Sequence, residues 1–234
     1  MSIADNIAQI QQRIAAAAKR AGRSADSVAL MAVTKTFSAE KIREAYDAGL
    51  RLFGENRVKE FSAKYAAVRD LADAEFHMIG HLQTNKAAKA VEVFSAIDSV
   101  DSLHLTQKLD AAARKADKSV PILIEVNLGG EQSKSGVKPD TAEFEELVQN
   151  VGALENIEVR GLMAIPPYTD DPEGARPFFR VLRQWCEKIA DRNLPSVKME
   201  VLSMGMSHDF EVAIEEGSTC VRLGTAIFGE RAKD

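Results

Sequence analysis

Apolar positions recur along this chain with two periods. Near the N-terminus Ile3, Ile7, Ile10 and Ile14 fall at helical spacing among Gln, Asn and Arg. One stripe of the segment is therefore apolar and the rest is wet. It runs into an alanine cluster and ends near Gly22, which predicts a helix over residues 1–22 packed on the outside of the fold. Its polar face is mostly neutral, unlike the Lys- and Arg-rich face of a membrane-surface helix. From residue 28 onward, short runs rich in β-branched residues alternate with helical patterns. Strands are predicted over 28–34 (VALMAVT), 51–53, 76–79, 94–97, 120–126 (VPILIEV), 157–165, 197–202 and 219–223. Helices are predicted over 39–48, 57–69, 84–91, 102–116, 141–151, 173–192 and 207–216, with a short segment after the last strand. The acidic stretch around Glu143, Glu145 and Glu146 reads as a solvated helix face.

Eight β–α units in about 210 residues have the count and size of a (β/α)8 barrel. An open doubly wound sheet is the alternative. No linker, repeat or charge block interrupts the pattern, so one α/β barrel domain spanning residues 1–234 is expected. Composition agrees. With 234 residues, 45% hydrophobic, the chain can bury a core and is not disordered. The net charge of −5 makes nucleic acid a poor first guess. No apolar run approaches the roughly 20 residues that span a bilayer, and MSIADNIAQIQQRI lacks the apolar core of a signal peptide. Cys186 and Cys220 are too few for a secreted disulfide framework and read as reduced thiols. A soluble, mildly acidic, cytoplasmic protein is expected.

Barrel enzymes carry their sites at the C-terminal ends of the strands. In this chain those ends hold Lys35, Gly54-Glu55-Asn56-Arg57, Gly80-His81-Leu82-Gln83, Asn127-Leu128-Gly129-Gly130, Pro166-Pro167-Tyr168, Ser203-Met204-Gly205-Met206-Ser207 and Gly224-Thr225. If Lys35 shares the face of Met31 and Val33, it points across the barrel mouth. A desolvated lysine there loses its proton more readily and becomes an amine nucleophile for a carbonyl. A lysine snorkelling from a strand end to solvent is the plainer reading. In strand eight, alternation puts Val221 and Leu223 on one face and Cys220 and Arg222 on the other. Arg222 then points into the barrel, where its guanidinium needs acceptors; an internal ion pair with Glu125 or Glu200 is one way to supply them. Ser203 and Gly224-Thr225 occupy the loops after strands seven and eight, where barrels commonly hold phosphate. Ordinary turn chemistry also fits these residues, and Ser207 could simply cap the following helix. His77 and His81 are separated by a strand end and Gly80, so no helical metal-binding pattern exists and no metal is expected.

The stretches AVTKTFSAEKIREAYDAGLRLFGENRVKE, FHMIGHLQTNK, GLMAIPP and LSMGMSHDFEVAIEEGSTCVRLGTAIFGER, with the loop QSKSG, run in order over nearly the whole chain. Together they resemble the pyridoxal phosphate homeostasis protein family, once called proline synthase co-transcribed homologue. The resemblance implies a single barrel of the alanine-racemase N-terminal type that binds pyridoxal 5'-phosphate (PLP). By that match Lys35 carries the cofactor as a Schiff base, Ser203, Gly224 and Thr225 hold the phosphate, Arg222 faces the pyridine nitrogen, and Asn56 and Met204 line the ring pocket. It further implies a protein that buffers PLP, or delivers it to PLP-requiring apoenzymes, with little or no catalytic turnover and no catalytic residue.

The chemistry is consistent with that restraint. PLP withdraws electrons best when its pyridine nitrogen is protonated, usually beside a carboxylate; a permanent cation at that nitrogen disfavours the proton. Racemisation also needs acid–base groups on both faces of the substrate carbon. Alanine racemases take one of them, a tyrosine, through a second, β-rich domain and a partner subunit. This sequence runs out at Asp234 directly after the eighth unit, so no counterpart of that domain, and a monomer, are expected. Of Tyr46, Tyr65 and Tyr168 only Tyr168 lies at a predicted strand end, as the candidate for a residual base. A racemase-like PLP enzyme is the competing reading. A PLP-free barrel that uses Lys35 as the Schiff-base lysine of an aldolase is a third.

Overall fold

A capping box starts the first helix, α1 (Ile3–Arg20): the Ser2 hydroxyl accepts from the Asp5 N–H at 3.1 Å, and the Asp5 carboxylate accepts from the Ser2 N–H at 3.0 Å. Ile3, Ile7, Ile10 and Ile14 form its buried stripe, as their spacing predicts. The computed structural model describes residues 2–130 and 135–229. Within them, eight parallel strands pair in chain order and close on themselves. They are β1 (Ala29–Val33), β2 (Leu52–Glu55), β3 (Glu75–Met78), β4 (Ala96–Val100), β5 (Val120–Glu125), β6 (Ile157–Met163), β7 (Val197–Ser203) and β8 (Cys220–Leu223). Closure is through β1 and β8, with Met31 beside Arg222 and Ala32 beside Leu223. The sheet is thus a (β/α)8 barrel, and the open-sheet alternative falls.

Each strand leads into a helix of the outer ring: α2 (Ala39–Asp47), α3 (Val58–Tyr65), α4 (Ala87–Val93), α5 (Leu103–Lys115), α6 (Ala142–Val151), α7 (Arg176–Ala190), α8 (Phe210–Glu215) and the single turn α9 (Thr225–Phe228). Helix α1 lies across α8 and α9. The Arg13 guanidinium donates two bonds to Glu211 at 3.0 Å, and the Asn6 amide donates to the Ile227 carbonyl at 2.8 Å. The main core fills the layer between barrel and helices. There Phe61 of α3 packs its ring on Phe76 and Phe94, each at 4.8 Å between centroids. A smaller apolar group, Met31, Val33, Ile79 and Cys220, forms a second cluster. Close packing has local demands: a Cβ on Gly161 of β6 would stand 1.8 Å from the Val201 carbonyl of β7.

Several predicted boundaries move. The fourth strand is 96–100 rather than 94–97, because its polar residues belong to the sheet. Asp98 pairs with the His77 ring at 3.0 Å, and the Ser99 hydroxyl donates to the Gly80 carbonyl at 2.6 Å. The second strand continues through Gly54 to Glu55, a charged residue that is fully buried. The helix expected over 57–69 stops at Tyr65, and the one expected over 84–91 starts as a 3-10 turn, Thr84–Lys86, before α4. The long helix expected over 173–192 likewise divides into a 3-10 turn, Pro172–Ala175, and α7. The helix expected from Ser207 begins only at Phe210. Its N-cap is Asp209, whose carboxylate accepts from the Met206 N–H at 2.6 Å, so Ser207 is not the cap. Cys186 and Cys220 are both free and buried. Among the described residues no helix is long and apolar enough to cross a membrane. In the QSKSG loop Gln132, Ser133 and Lys134 lie outside the described residues.

Candidate functional site

The C-terminal ends of β1, β7 and β8 meet around a cavity of about 260 Å³. Its wall includes Lys35, Phe37, Ser207, His208, Arg222, Gly224 and Thr225. Lys35 follows β1 by two residues, on the same alternation as Met31 and Val33, and is half-buried. It sits in a tight turn closed by the Phe37 N–H, which donates to the Thr34 carbonyl at 3.1 Å. Phe37 in turn packs its ring on Phe228 of α9 at 4.6 Å, joining the loop of the first strand to that of the last.

Arg222 is only 3% exposed. Its Nη1 donates to the Ser203 hydroxyl at 2.7 Å and its Nη2 to the Ala164 carbonyl at 2.9 Å. Those bonds occupy two of the five N–H donors of a guanidinium, which leaves others for a ligand. Among the described residues no carboxylate lies within ion-pair distance of Arg222. Glu200 pairs outside with Arg160 at 2.6 Å, and Glu125, Asp98 and Asp209 act on Arg222 only at longer range. The expected alternative, an ion pair with Glu125 or Glu200, is therefore absent. Burial works against the charge on Arg222, so the site has placed a costly cation where an anionic or electron-rich partner is needed to offset it.

The carboxyls nearby respond to the same environment. Burial, reinforced by the negative charge of Asp101 and opposed by Arg222, pushes Glu125 up to about 7. Burial also raises Asp209, against the bond from the Met206 N–H.

The loop after β7 turns at Gly205, whose φ of 96° and position against Ala213 exclude a side chain: a Cβ would lie 2.6 Å from the Ala213 methyl. The turn returns the Gly205 carbonyl to the Arg222 N–H at 3.0 Å and brings Ser207 to the cavity. Gly224 leaves β8 close to β1; a Cβ there would meet the Val33 carbonyl at 3.4 Å. Thr225 then opens α9 with an exposed hydroxyl, and the amides of a first helical turn have no intrahelical acceptor.

Lys35, Arg222, Gly224 and Thr225 are thus brought together on one wall. Asn56, Ser203 and Met204 are not on it. Asn56 is half-buried beyond β2, with its backbone against Gly80, where a Cβ would come within 2.5 Å of the Asn56 carbonyl. Ser203 is fully buried and its hydroxyl serves Arg222, although a phosphate contact was expected of it. Met204 is fully buried in the main core, with its carbonyl accepting from Ser218 at 2.8 Å. Ser207, Phe37 and His208 were not expected at the site. Only the position of Ser207 in the loop after the seventh strand marked it. Three of the four histidines are dispersed: His77 on Asp98, His81 on Asp101, and His208 on the carbonyls of Thr169 and Asp170. Tyr168 stands 77% exposed, its ring 5.5 Å from that of His208.

An amine, a buried guanidinium and two hydroxyls suit a small anion that carries a carbonyl group. Comparison with known proteins points the same way. The family model of the alanine racemase N-terminal domain matches residues 6–232. The pyridoxal phosphate homeostasis protein of Aquifex aeolicus is 45% identical over 231 residues, covering 99% of each chain. The protein of that name from Escherichia coli strain K12 is 42% identical over 231 residues, covering 98% of this chain and 97% of that one. The structure of PipY from Synechococcus elongatus with PLP bound superposes with a TM-score of 0.86 at 37% identity, covering 97% of this chain and all of that one. The chain described here therefore belongs to the pyridoxal phosphate homeostasis protein family, built on the barrel of the alanine racemase N-terminal type.

Proposed function

We propose that this protein binds PLP at the C-terminal mouth of its barrel, buffers it, and hands it to PLP-requiring apoenzymes, with little or no turnover of its own. The observation that carries this reading is the single cavity wall that joins Lys35, Arg222, Gly224 and Thr225. The residues fit the cofactor. Lys35 would hold the aldehyde carbon of PLP through its amine, with loss of one water, and the cofactor would supply an electron-withdrawing ring. Gly224, Thr225 and Ser207 supply amides and hydroxyls for the phosphate. Arg222 supplies donors for the pyridine nitrogen, and Ser203 steadies Arg222. Asn56 and Met204 do not line this wall.

Arg222 also explains the restraint. Fixed by two hydrogen bonds in a buried position, it opposes a proton on the pyridine nitrogen and so weakens the electron withdrawal that racemisation requires. Both cysteines are free and buried, which suits the reducing cytoplasm. The net charge of −5 argues against nucleic acid as a partner. We further take the working unit to be a monomer that engages neither nucleic acid nor membrane.

The test is uptake of PLP by purified protein, followed by visible absorption, beside an assay for racemisation of amino acids. A visible band with negligible racemisation is the expected result. Steady racemisation that is lost on substitution of Tyr168 by Phe would move the assignment to a racemase-like enzyme. Failure to take up PLP at all would leave the aldolase reading of the same lysine.

A further inference from the structure

We propose that Lys64 is a positioning residue for Lys35: its ammonium clasps the turn that presents the cofactor lysine, and without touching PLP it sets how fast the covalent linkage forms. The proposal rests on Lys35 being the residue that carries PLP.

The turn runs from Thr34 to Phe37, with Lys35 and Thr36 at its two central positions. Thr36 has a φ of 68°. A turn with positive φ at that position ordinarily takes glycine or asparagine there. A β-branched residue is strained in the left-handed region, and such strain persists only where the surroundings hold it. Three groups hold it here. The Thr36 N–H donates to Glu60 Oε1 at 2.6 Å. Lys64 Nζ donates to the Thr34 carbonyl at 3.3 Å and to the Phe37 carbonyl at 3.1 Å, the two ends of the turn. The same Nζ lies 2.7 Å from Glu55 Oε1 and 3.1 Å from Glu60 Oε1, with the lysine side chain only 13% exposed. Glu55 is fully buried and also accepts from the Thr34 hydroxyl at 2.8 Å.

Lys64 thus reaches four acceptors drawn from β2, from its own helix and from both ends of the Lys35 turn. Burial works against the charge of Glu60, but the bonds from Thr36 and Lys64 outweigh it and hold the carboxyl below the usual range. Lys64, Glu55 and Glu60 do not line the cavity beside Lys35, while Phe37, whose carbonyl Lys64 holds, does. An ammonium whose hydrogens are shared among four acceptors is not presented as a nucleophile, so the part of Lys64 is support of the turn. Attack on an aldehyde depends steeply on approach geometry, and a displacement of about 1 Å can cost 10²-fold.

Two variants of the full-length protein test this, Lys64→Met and Glu60→Ala. The second removes a partly exposed carboxylate and leaves the buried Glu55–Lys64 pair in place, so it guards against a Lys64→Met protein that does not fold. Stopped-flow absorption after mixing with PLP reads the rate of linkage formation. Borohydride reduction and peptide mapping read the share on Lys35. Titration with pyridoxine 5'-phosphate, which has the ring and phosphate but no aldehyde, reads the pocket itself. The expected result is a rate lowered by about tenfold or more in Lys64→Met, and by several-fold in Glu60→Ala. Affinity for pyridoxine 5'-phosphate should stay within about twofold of the parent protein. An unchanged rate in both variants overturns the proposal. So does an equal loss of rate and of pyridoxine 5'-phosphate affinity, which would make the knot a support of the whole site. If the parent protein forms no linkage on Lys35, the reading of Lys35 fails and takes this proposal with it.

Discussion

Arg222 shows how much chemistry one position can settle. Its neighbours Val221 and Leu223 face the helices, so the strand's alternation alone sends the guanidinium inward. There it is desolvated, anchored to Ser203 and the Ala164 carbonyl, and left without an ion-pair partner among the described residues. A carboxylate in its place would support a protonated pyridine and carbanion chemistry; an arginine supports binding. The phosphate end is separable. If the Thr225 hydroxyl holds phosphate, Thr225→Ala weakens PLP by about 1–2 kcal/mol, roughly a tenfold rise in Kd, and leaves pyridoxal within twofold. Fluorescence titration with both ligands checks this, and equal losses for the two would remove Thr225 from the phosphate site. That Lys35, Gly224 and Thr225 meet at this cavity is legible from their places at strand ends, and that Arg222 joins them from the alternation of the last strand. Ser207 is not, because a serine ahead of a helical pattern reads equally well as a cap. Lys64 left no signal of its own, since a lysine in the last turn of a helix is ordinary until the fold brings a buried glutamate to it.

At the scale of elements, polar residues inside strands account for the differences between pattern and structure. The fourth strand was displaced because Asp98 and Ser99 break its apolar run, yet both serve β3 and its loop. The second strand was cut short at Gly54-Glu55 for the same reason. Long apolar strands such as β5 and β6, and the stripe of α1, were legible because burial dictates nearly every residue in them. The His77–Asp98 contact between β3 and β4 has a consequence in pH. Burial disfavours a charged His77 ring, but Asp98 and then Glu75 more than compensate and raise it to about 9. The folded-state value lies above the unfolded one of about 6.5. The pair's stabilisation is therefore complete below about pH 6.5 and fades as pH rises through about 9. Thermal unfolding from pH 6 to 10 should show that fall. His77→Leu should flatten it and cost about 3–5 kcal/mol at pH 7, because Asp98 stays buried without its partner. A fall of the same size in the variant would assign it to other groups.

The molecule as a whole separates support from function in the manner of its fold. Phenylalanine clusters and the α1 stripe make the layer that keeps the barrel closed. The loops after β1, β7 and β8 carry the groups that line the cavity. Sequence identity of 45% with the Aquifex aeolicus protein, and superposition on PLP-bound PipY, place the chain in its family. The central proposal is that Lys35 is the point of attachment. The most direct test is to load the intact protein with PLP, reduce it with borohydride and map the modified peptide by mass. The account predicts one pyridoxyl group per chain, on Lys35. A reduced protein with no adduct, or with the adduct on another lysine while Lys35 stays unmodified, would contradict it.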